Sequence, residues 1–174
     1  MAVAEPLEDS GQPARLTALA DRLAVDFHEL AAEEPRFARA LPHTDWFPVR
    51  LWPAGLPALT RIILAQQVST KAADAMWHRW SRWVDPADPA QVLAADDATL
   101  KACGFSRQKA RYVRALAAAI AEGRFDPALV HAEPDNAAAI AHLTALTGIG
   151  AWSAECYLLF ADGRRDVLPA SDLA

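Results

Sequence analysis

The stretch that decides the fold is Leu143-Thr144-Ala145-Leu146-Thr147-Gly148-Ile149-Gly150-Ala151-Trp152-Ser153-Ala154-Glu155-Cys156. An apolar helical run through Ile140, Leu143, Thr144 and Leu146 is interrupted by Thr147-Gly148-Ile149-Gly150, and a second apolar run starts at once at Ala151. This reads as helix, tight hairpin, helix. Two glycines one residue apart suit such a turn for two reasons. Each tolerates positive φ, and neither carries a side chain that blocks an approaching group. The first N–H groups of the following helix lack intrahelical acceptors and sit at the positive end of its dipole, which makes the turn an anion site of the kind a phosphate fills. The plainer alternative is that Gly148 and Gly150 only cap two packed helices.

Outward from the hairpin, helical periodicity continues in both directions. Asp135 suits the N-cap of the first hairpin helix, and Gly123 to Pro134 reads as connector. Before it, Ser106 caps a long helix whose inner face is Val113, Leu116, Ala117 and Ile120 and whose outer face carries Arg107, Lys109, Arg111 and Arg114. That basic stripe is the densest in the chain, and is either a phosphate patch or a solvated face. A short helix from about Asp97 to Cys103 ends at Gly104, and Asp85-Pro86 to Pro89 reads as a turn. Leu59, Ile62, Ile63 and Gln66 share one face of a helix that begins near Pro57. Ser69 suits the N-cap of the next, in which Ala73, Met76, Trp77, Trp80 and Val84 recur at core spacing. Between those two helices Gln66-Gln67 places two neutral amides that serve neither core nor charge balance. Either they meet a ligand, or an amide satisfies backbone groups at the helix ends. The proline-rich span from Pro42 to Pro57 holds Trp46, Phe47 and Trp52, which line a pocket or pack under a long loop. Leu16, Leu19, Ala20, Leu23, Phe27, Leu30 and Ala31 mark a first amphipathic helix. No segment alternates at period two, so the predicted fold class is all α.

The bulk numbers are compatible with this. With 174 residues, 53% hydrophobic and 22% charged, the chain is long and apolar enough for one globular domain over 14–174, after a flexible amino terminus at 1–13. The net charge of −5 argues mildly against a polyanionic partner, so any such contact has to rest on local clustering. Cys103 and Cys156 read as reduced, buried small hydrophobes. The five histidines lack ligand spacing, so neither zinc nor an iron–sulfur cluster is expected. No run of 18 apolar residues and no signal peptide is visible, which predicts a soluble intracellular protein without membrane contact.

Four segments together resemble one known family. Leu146-Thr147-Gly148-Ile149-Gly150-Ala151-Trp152-Ser153-Ala154 resembles the LPGIGxWTA hairpin of the helix-hairpin-helix DNA glycosylases. Asp166-Val167-Leu168-Pro169-Ala170-Ser171-Asp172-Leu173 is similar to the DVFPxxDL segment carrying that family's fixed aspartate. The run from Ile62 to Ala73 resembles the IxxQQxSxxAA helix junction of the alkylpurine, or 3-methyladenine, branch. The run from Leu100 to Ala110 resembles its LxxxGxSxxKA element. The four occur in family order across residues 40–174, which is far more specific than any one alone.

The resemblance implies the all-α helix-hairpin-helix glycosylase fold in a compact form without an amino-terminal β domain. It also implies base-excision repair of alkylated purines such as 3-methyladenine and 7-methylguanine in double-stranded DNA. An enzyme acting on a stacked base has to flip it out, at a cost of a few kcal/mol. Gln67 matches the side chain that fills the vacated gap, and Ser106 with Gly148, Ile149 and Gly150 matches backbone-gripping positions. Asp172 matches the carboxylate that stabilises positive charge developing on the sugar as the N-glycosidic bond breaks, with Asp162 and Asp166 as alternatives. Lyase members place a lysine two residues after Gly150, where this chain has Trp152. Hydrolysis without strand cleavage follows, because no amine stands there to form a Schiff base. Trp152 would instead stack its indole on a cationic alkylated base, a contact of about 0.5 to 2 kcal/mol, or serve as ordinary core. No cofactor is required by the resemblance, though a structural monovalent cation is implied at the backbone carbonyls of Thr144, Leu146 and Ile149. A monomer located with the DNA, cytoplasmic or nuclear, is expected. The family continues past Asp172 into a further helix that this chain does not include, so weakened stability and activity are expected of the chain as given. A non-catalytic helix-hairpin-helix DNA-binding module and a glycosylase for another lesion stand as alternatives.

Overall fold

The computed structural model describes residues 12–43 and 49–171; Trp46, Phe47 and Asp172, all singled out above, lie outside the described residues. The chain divides into two compact units, one ending at Leu51 and the other beginning at Trp52. In the first, α1 (Gln12–Glu33) is followed by α2 (Pro35–Ala40) and a 3-10 turn (Leu41–His43). The Glu34 carboxylate caps α2 by accepting the Arg36 amide at 2.9 Å. Phe27 and Phe37 stack with centroids 5.7 Å apart.

The second unit holds α3 (Leu56–Ala65), α4 (Thr70–Trp80), α5 (Pro89–Ala94), α6 (Asp97–Cys103), α7 (Arg107–Ala121), α8 (Pro127–Ala132), α9 (Asn136–Thr144) and α10 (Ala151–Tyr157), which runs on into a π-helical turn (Leu158–Asp162). Among the described residues there is no strand, and no helix is long and apolar enough to cross a membrane.

Capping explains most of the boundaries. Ser69, Ser106 and Asp135 each accept the amide three residues on, from Ala72, Lys109 and Ala138, as the sequence predicts. The turn over Asp85 to Pro89 is present and leads straight into one further helix, and a second interrupts the stretch from Gly123 to Pro134 that reads as connector. In α5 and α8, Asp88 and Asp126 accept the amides of Ala90 and Ala128, and a proline occupies the first helical turn. Proline there loses no hydrogen bond and brings its φ already set, so Asp-Pro opens a helix at both places.

The centre of the unit is α3, which packs against α4, α7 and α10. Its buried positions are not confined to the predicted face: Leu56, Pro57, Ala58, Leu59, Thr60, Ile62, Ile63 and Leu64 are all buried. A short helix apolar all round is one that is surrounded. Trp80 is fully buried in the core, whereas Trp77 is only partly so. Trp52 packs on Phe160 with centroids 5.0 Å apart, and the Arg61 guanidinium lies 5.2 Å from the Trp52 ring centroid and 5.4 Å from that of Trp77. Trp52 is therefore a packing residue. Cys103 and Cys156 are buried and unpaired with each other.

Candidate functional site

The hairpin between α9 and α10 uses its two glycines for different purposes. Gly148 has φ +91, and a Cβ added to it would lie 2.5 Å from both Cγ and Cδ2 of Tyr112. Here the missing side chain serves the fold. Gly150 has φ −95 and ψ −178, an extended conformation open to any residue, and a Cβ on it would meet nothing within 4 Å. The expectation that both glycines answer a left-handed backbone is thus corrected at Gly150, where only the space outside the protein benefits from the absent side chain. Being the N-cap of α10, Gly150 also offers no side chain to satisfy the first-turn amides. Ile149, between them, is 5% exposed, and its N–H donates to Leu146 O at 3.2 Å. Both its side chain and its amide are engaged inside the protein, so it braces the turn and presents neither group to a ligand.

Beside this hairpin lies a cleft of about 540 Å³. Gln66 and Gln67 reach it from the end of α3, and Ser106, Gln108 and Lys109 from the start of α7. Gly150, Trp152 and Ser153 come from the start of α10, and Ser171 from the chain beyond the π-helical turn. All four motifs that the sequence holds apart therefore meet at one surface. Its charge is distinctive: amides, hydroxyls, an indole and one ammonium, with no carboxylate among these lining residues. That suits a polyanion better than the overall charge of −5 suggests.

The paired glutamines separate into two roles. Gln66 turns inward, and its Nε2 donates to Gly148 O at 2.9 Å and to Ser153 Oγ at 3.3 Å. Gln67 is exposed and has φ +56, a left-handed conformation unusual for a residue with a side chain. Lys109 donates from Nζ to Leu64 O at 2.6 Å, and its partial burial lowers its pKa from the ordinary lysine value. Trp152 lies half-buried between core and cleft, with a buried indole N–H that has no hydrogen-bond partner.

The basic stripe on α7 is dispersed by its neighbours. Arg114 pairs with Asp97 at 2.6 Å and donates to Ala95 O at 2.7 Å, Lys109 is drawn to α3, and Arg111 lies 5.4 Å from the Tyr112 ring centroid. Arg107 and Arg111 remain exposed. Four cations on one helix are not one patch, because Lys109, Arg111 and Arg114 each meet a different partner.

Of the three aspartates considered, Asp162 is committed to structure. Its side chain is 5% exposed, pairs with Arg164 at 2.6 Å and hydrogen-bonds His131. Asp166 is exposed at φ +57 and does not line the cleft. Ser171, the last described residue, lines the cleft and immediately precedes Asp172 in the sequence. Thr144 is exposed at the end of α9 and Leu146 is partly buried. Among the described residues, no group of three or more His, Cys, Asp or Glu side chains is arranged to hold a metal.

Comparison with known proteins matches residues 60–174 to the HhH-GPD family, described as the HhH-GPD superfamily base excision DNA repair protein. A curated relative, DNA-3-methyladenine glycosylase 1 of Schizosaccharomyces pombe, is 34% identical over 120 residues, covering 67% of this chain and 52% of that protein. The chain thus spans about half the length of that relative. Two solved structures are similar. The S. pombe 3-methyladenine DNA glycosylase in complex with abasic DNA has a TM-score of 0.69 at 28% identity, covering 77% of this chain and 68% of that one. A DNA-3-methyladenine glycosidase from Bacillus halodurans has a TM-score of 0.68 at 30% identity, covering 82% of this chain and 66% of that one.

Proposed function

This chain belongs to the HhH-GPD superfamily of base excision DNA repair proteins, and from that premise we propose that it is a DNA glycosylase that hydrolyses the N-glycosidic bond of alkylated purines without cutting the strand. The observation that carries the reading is the convergence of four separated motifs on one cleft. The names of the relatives, 3-methyladenine glycosylases in two organisms, favour an alkylated purine over other lesions.

In this reading the cleft receives a flipped nucleotide. Gly150 lets a phosphate approach the first amides of α10, with Ser106 touching the backbone from the start of α7. Gln67, exposed at the cleft edge, fills the gap in the stack. Trp152 offers its indole face to the extruded base, and a methylated purine, being cationic, is attracted to that face by about 0.5 to 2 kcal/mol. Asp172, one residue beyond the cleft-lining Ser171, supplies the carboxylate that stabilises the oxocarbenium-like sugar and orients water for attack. Among the described cleft-lining residues the only amine is Lys109, hydrogen-bonded to Leu64 O, and Trp152 stands where the lyases have their lysine, so water is the nucleophile. A monovalent cation at the carbonyls of Thr144, Leu146 and Ile149 is compatible with the hairpin. Leu146 O accepts the Ile149 amide and retains a second lone pair, and neutral carbonyl oxygens suit a hard cation. Such an ion would stiffen the turn; it enters no step of the reaction.

The test is release of 3-methyladenine or 7-methylguanine from methylated duplex DNA, with the abasic product checked for strand breaks. Base release with intact strands, lost in D172N while DNA affinity is kept, is expected. Salt-dependent DNA binding without any base release would reject the catalytic reading.

A further inference from the structure

We propose that Gln66 is a positioning residue that locks the turn carrying Gln67 to the hairpin, so that the gap-filling side chain is held in place before DNA arrives. This rests on the reading of Gln67 as the residue that enters the stack. A glutamine at φ +56 stands in the left-handed region that residues with a side chain disfavour, and such a conformation persists where its surroundings over-determine it. The surroundings here do so from both flanks. Before the turn, Leu64 O is held by Lys109 Nζ and the Gln66 amide donates back to Ile63 O at 3.3 Å. After it, Val68 N donates to Ala65 O at 3.4 Å, and Ser69 opens α4.

The Gln66 side chain adds the link that local structure cannot supply. Its amide spans to acceptors 82 and 87 residues away, Gly148 O in the hairpin and Ser153 Oγ on α10, with Ser153 itself 3% exposed. One primary amide has two N–H donors, and two acceptors face it. The element that would grip the backbone and the element that would fill the stack are thus joined through a single side chain. A group tied at both ends loses less conformational entropy on binding than one ordered by the DNA.

Single-turnover release of 7-methylguanine is measured for the full chain and for Q66A, Q66E, Q67A and Q66A/Q67A. Alongside it, 2-aminopurine fluorescence is read opposite a tetrahydrofuran abasic site, where it brightens when a side chain unstacks the strand. Losing both bonds of the amide slows release about tenfold in Q66A. Q66E, matched in size, behaves alike because a carboxylate cannot donate to Gly148 O. Both dim the fluorescence response, and in the Q67A background Q66A has no further effect. Equal slowing with and without Gln67, or wild-type release and fluorescence in Q66A, would overturn the proposal whatever the melting temperature does. If the wild-type chain releases no base, the fluorescence still decides. Brightening that Q66A abolishes upholds the coupling while the glycosylase reading falls, and no brightening by the wild type rejects both.

Discussion

The two hairpin glycines make a controlled pair, because only one of them is required by the fold. Gly148→Ala puts a side chain on a backbone with φ +91, at a strain of about 1–3 kcal/mol. It also drives the new Cβ to 2.5 Å from the Tyr112 ring, where overpacking costs about a further 1–3 kcal/mol. The sum, roughly 2–6 kcal/mol, is a large part of the stability of an ordinary domain. At ~2–4 °C per kcal/mol for a chain of this size, Tm falls by roughly 4–24 °C. Gly150→Ala meets neither obstacle, and by restricting the unfolded chain it leaves stability unchanged or raised by up to ~1 kcal/mol. Its methyl group does stand in the cleft, so DNA affinity should fall while the fold is kept. The assay is thermal and urea unfolding of both variants, with DNA binding by anisotropy. Adding Tyr112→Ala removes the ring part of the G148A cost: the double variant should lose less than the two singles summed, because the two contacts at 2.5 Å go while the approach of 2.9 Å to the Tyr112 Cβ and the φ strain stay. If G150A unfolds as readily as G148A, or if the Tyr112 background recovers nothing, the division of labour between the glycines is wrong.

Further outcomes follow from the same contacts. Arg164→Met leaves the nearly buried Asp162 carboxylate without its guanidinium and with only the hydrogen bond to exposed His131, and should destabilise by about 3 kcal/mol in urea unfolding. Asp162→Asn should likewise lower stability while base release at saturating DNA is kept, since that carboxylate is bound within the protein. For Lys109 the folded pKa lies below the ordinary 10.5, so the unfolded chain holds the proton more tightly. Its contribution to stability therefore rises as pH climbs from the folded pKa toward 10.5. In Lys109→Met, Tm measured against pH should lack that rise relative to the parent. Thr60, whose buried hydroxyl has no partner, should tolerate valine with unchanged or higher Tm. A loss above about 1 kcal/mol in T60V would show that the hydroxyl is satisfied.

Much of the helical framework was legible because its causes are local. Ser69, Ser106 and Asp135 announce helix starts through amides three residues away, and α6 runs over Asp97–Cys103 as read, closed by Gly104. The starts of α5 and α8 carry an equally local signal, Asp-Pro, which a reading of proline as a breaker overlooks. Membership of the helix-hairpin-helix glycosylases was legible in the four motifs, Leu146 to Ala154 foremost. The chemistry proposed for Asp172 rests on its motif together with the position of Ser171, its neighbour in the sequence.

Other features depended on neighbours remote in sequence. Periodicity gives α3 one apolar face, but being enclosed by α4, α7 and α10 makes nearly all of it core. Periodicity likewise aligns Arg107, Lys109, Arg111 and Arg114, yet Leu64 O and Asp97 pull two of them to separate places. Adjacent glutamines look equivalent until Gln66 finds Gly148 O and Ser153 Oγ, and the two hairpin glycines look equivalent until Tyr112 packs on one of them. The sequence by itself determined where helices begin, where the hairpin turns and which family pattern the chain carries, because capping and turn chemistry act over three or four residues. The tertiary structure alone decided which of two like residues serves the fold and which faces the cleft, because contacts spanning more than 80 residues exist only once the whole core has packed.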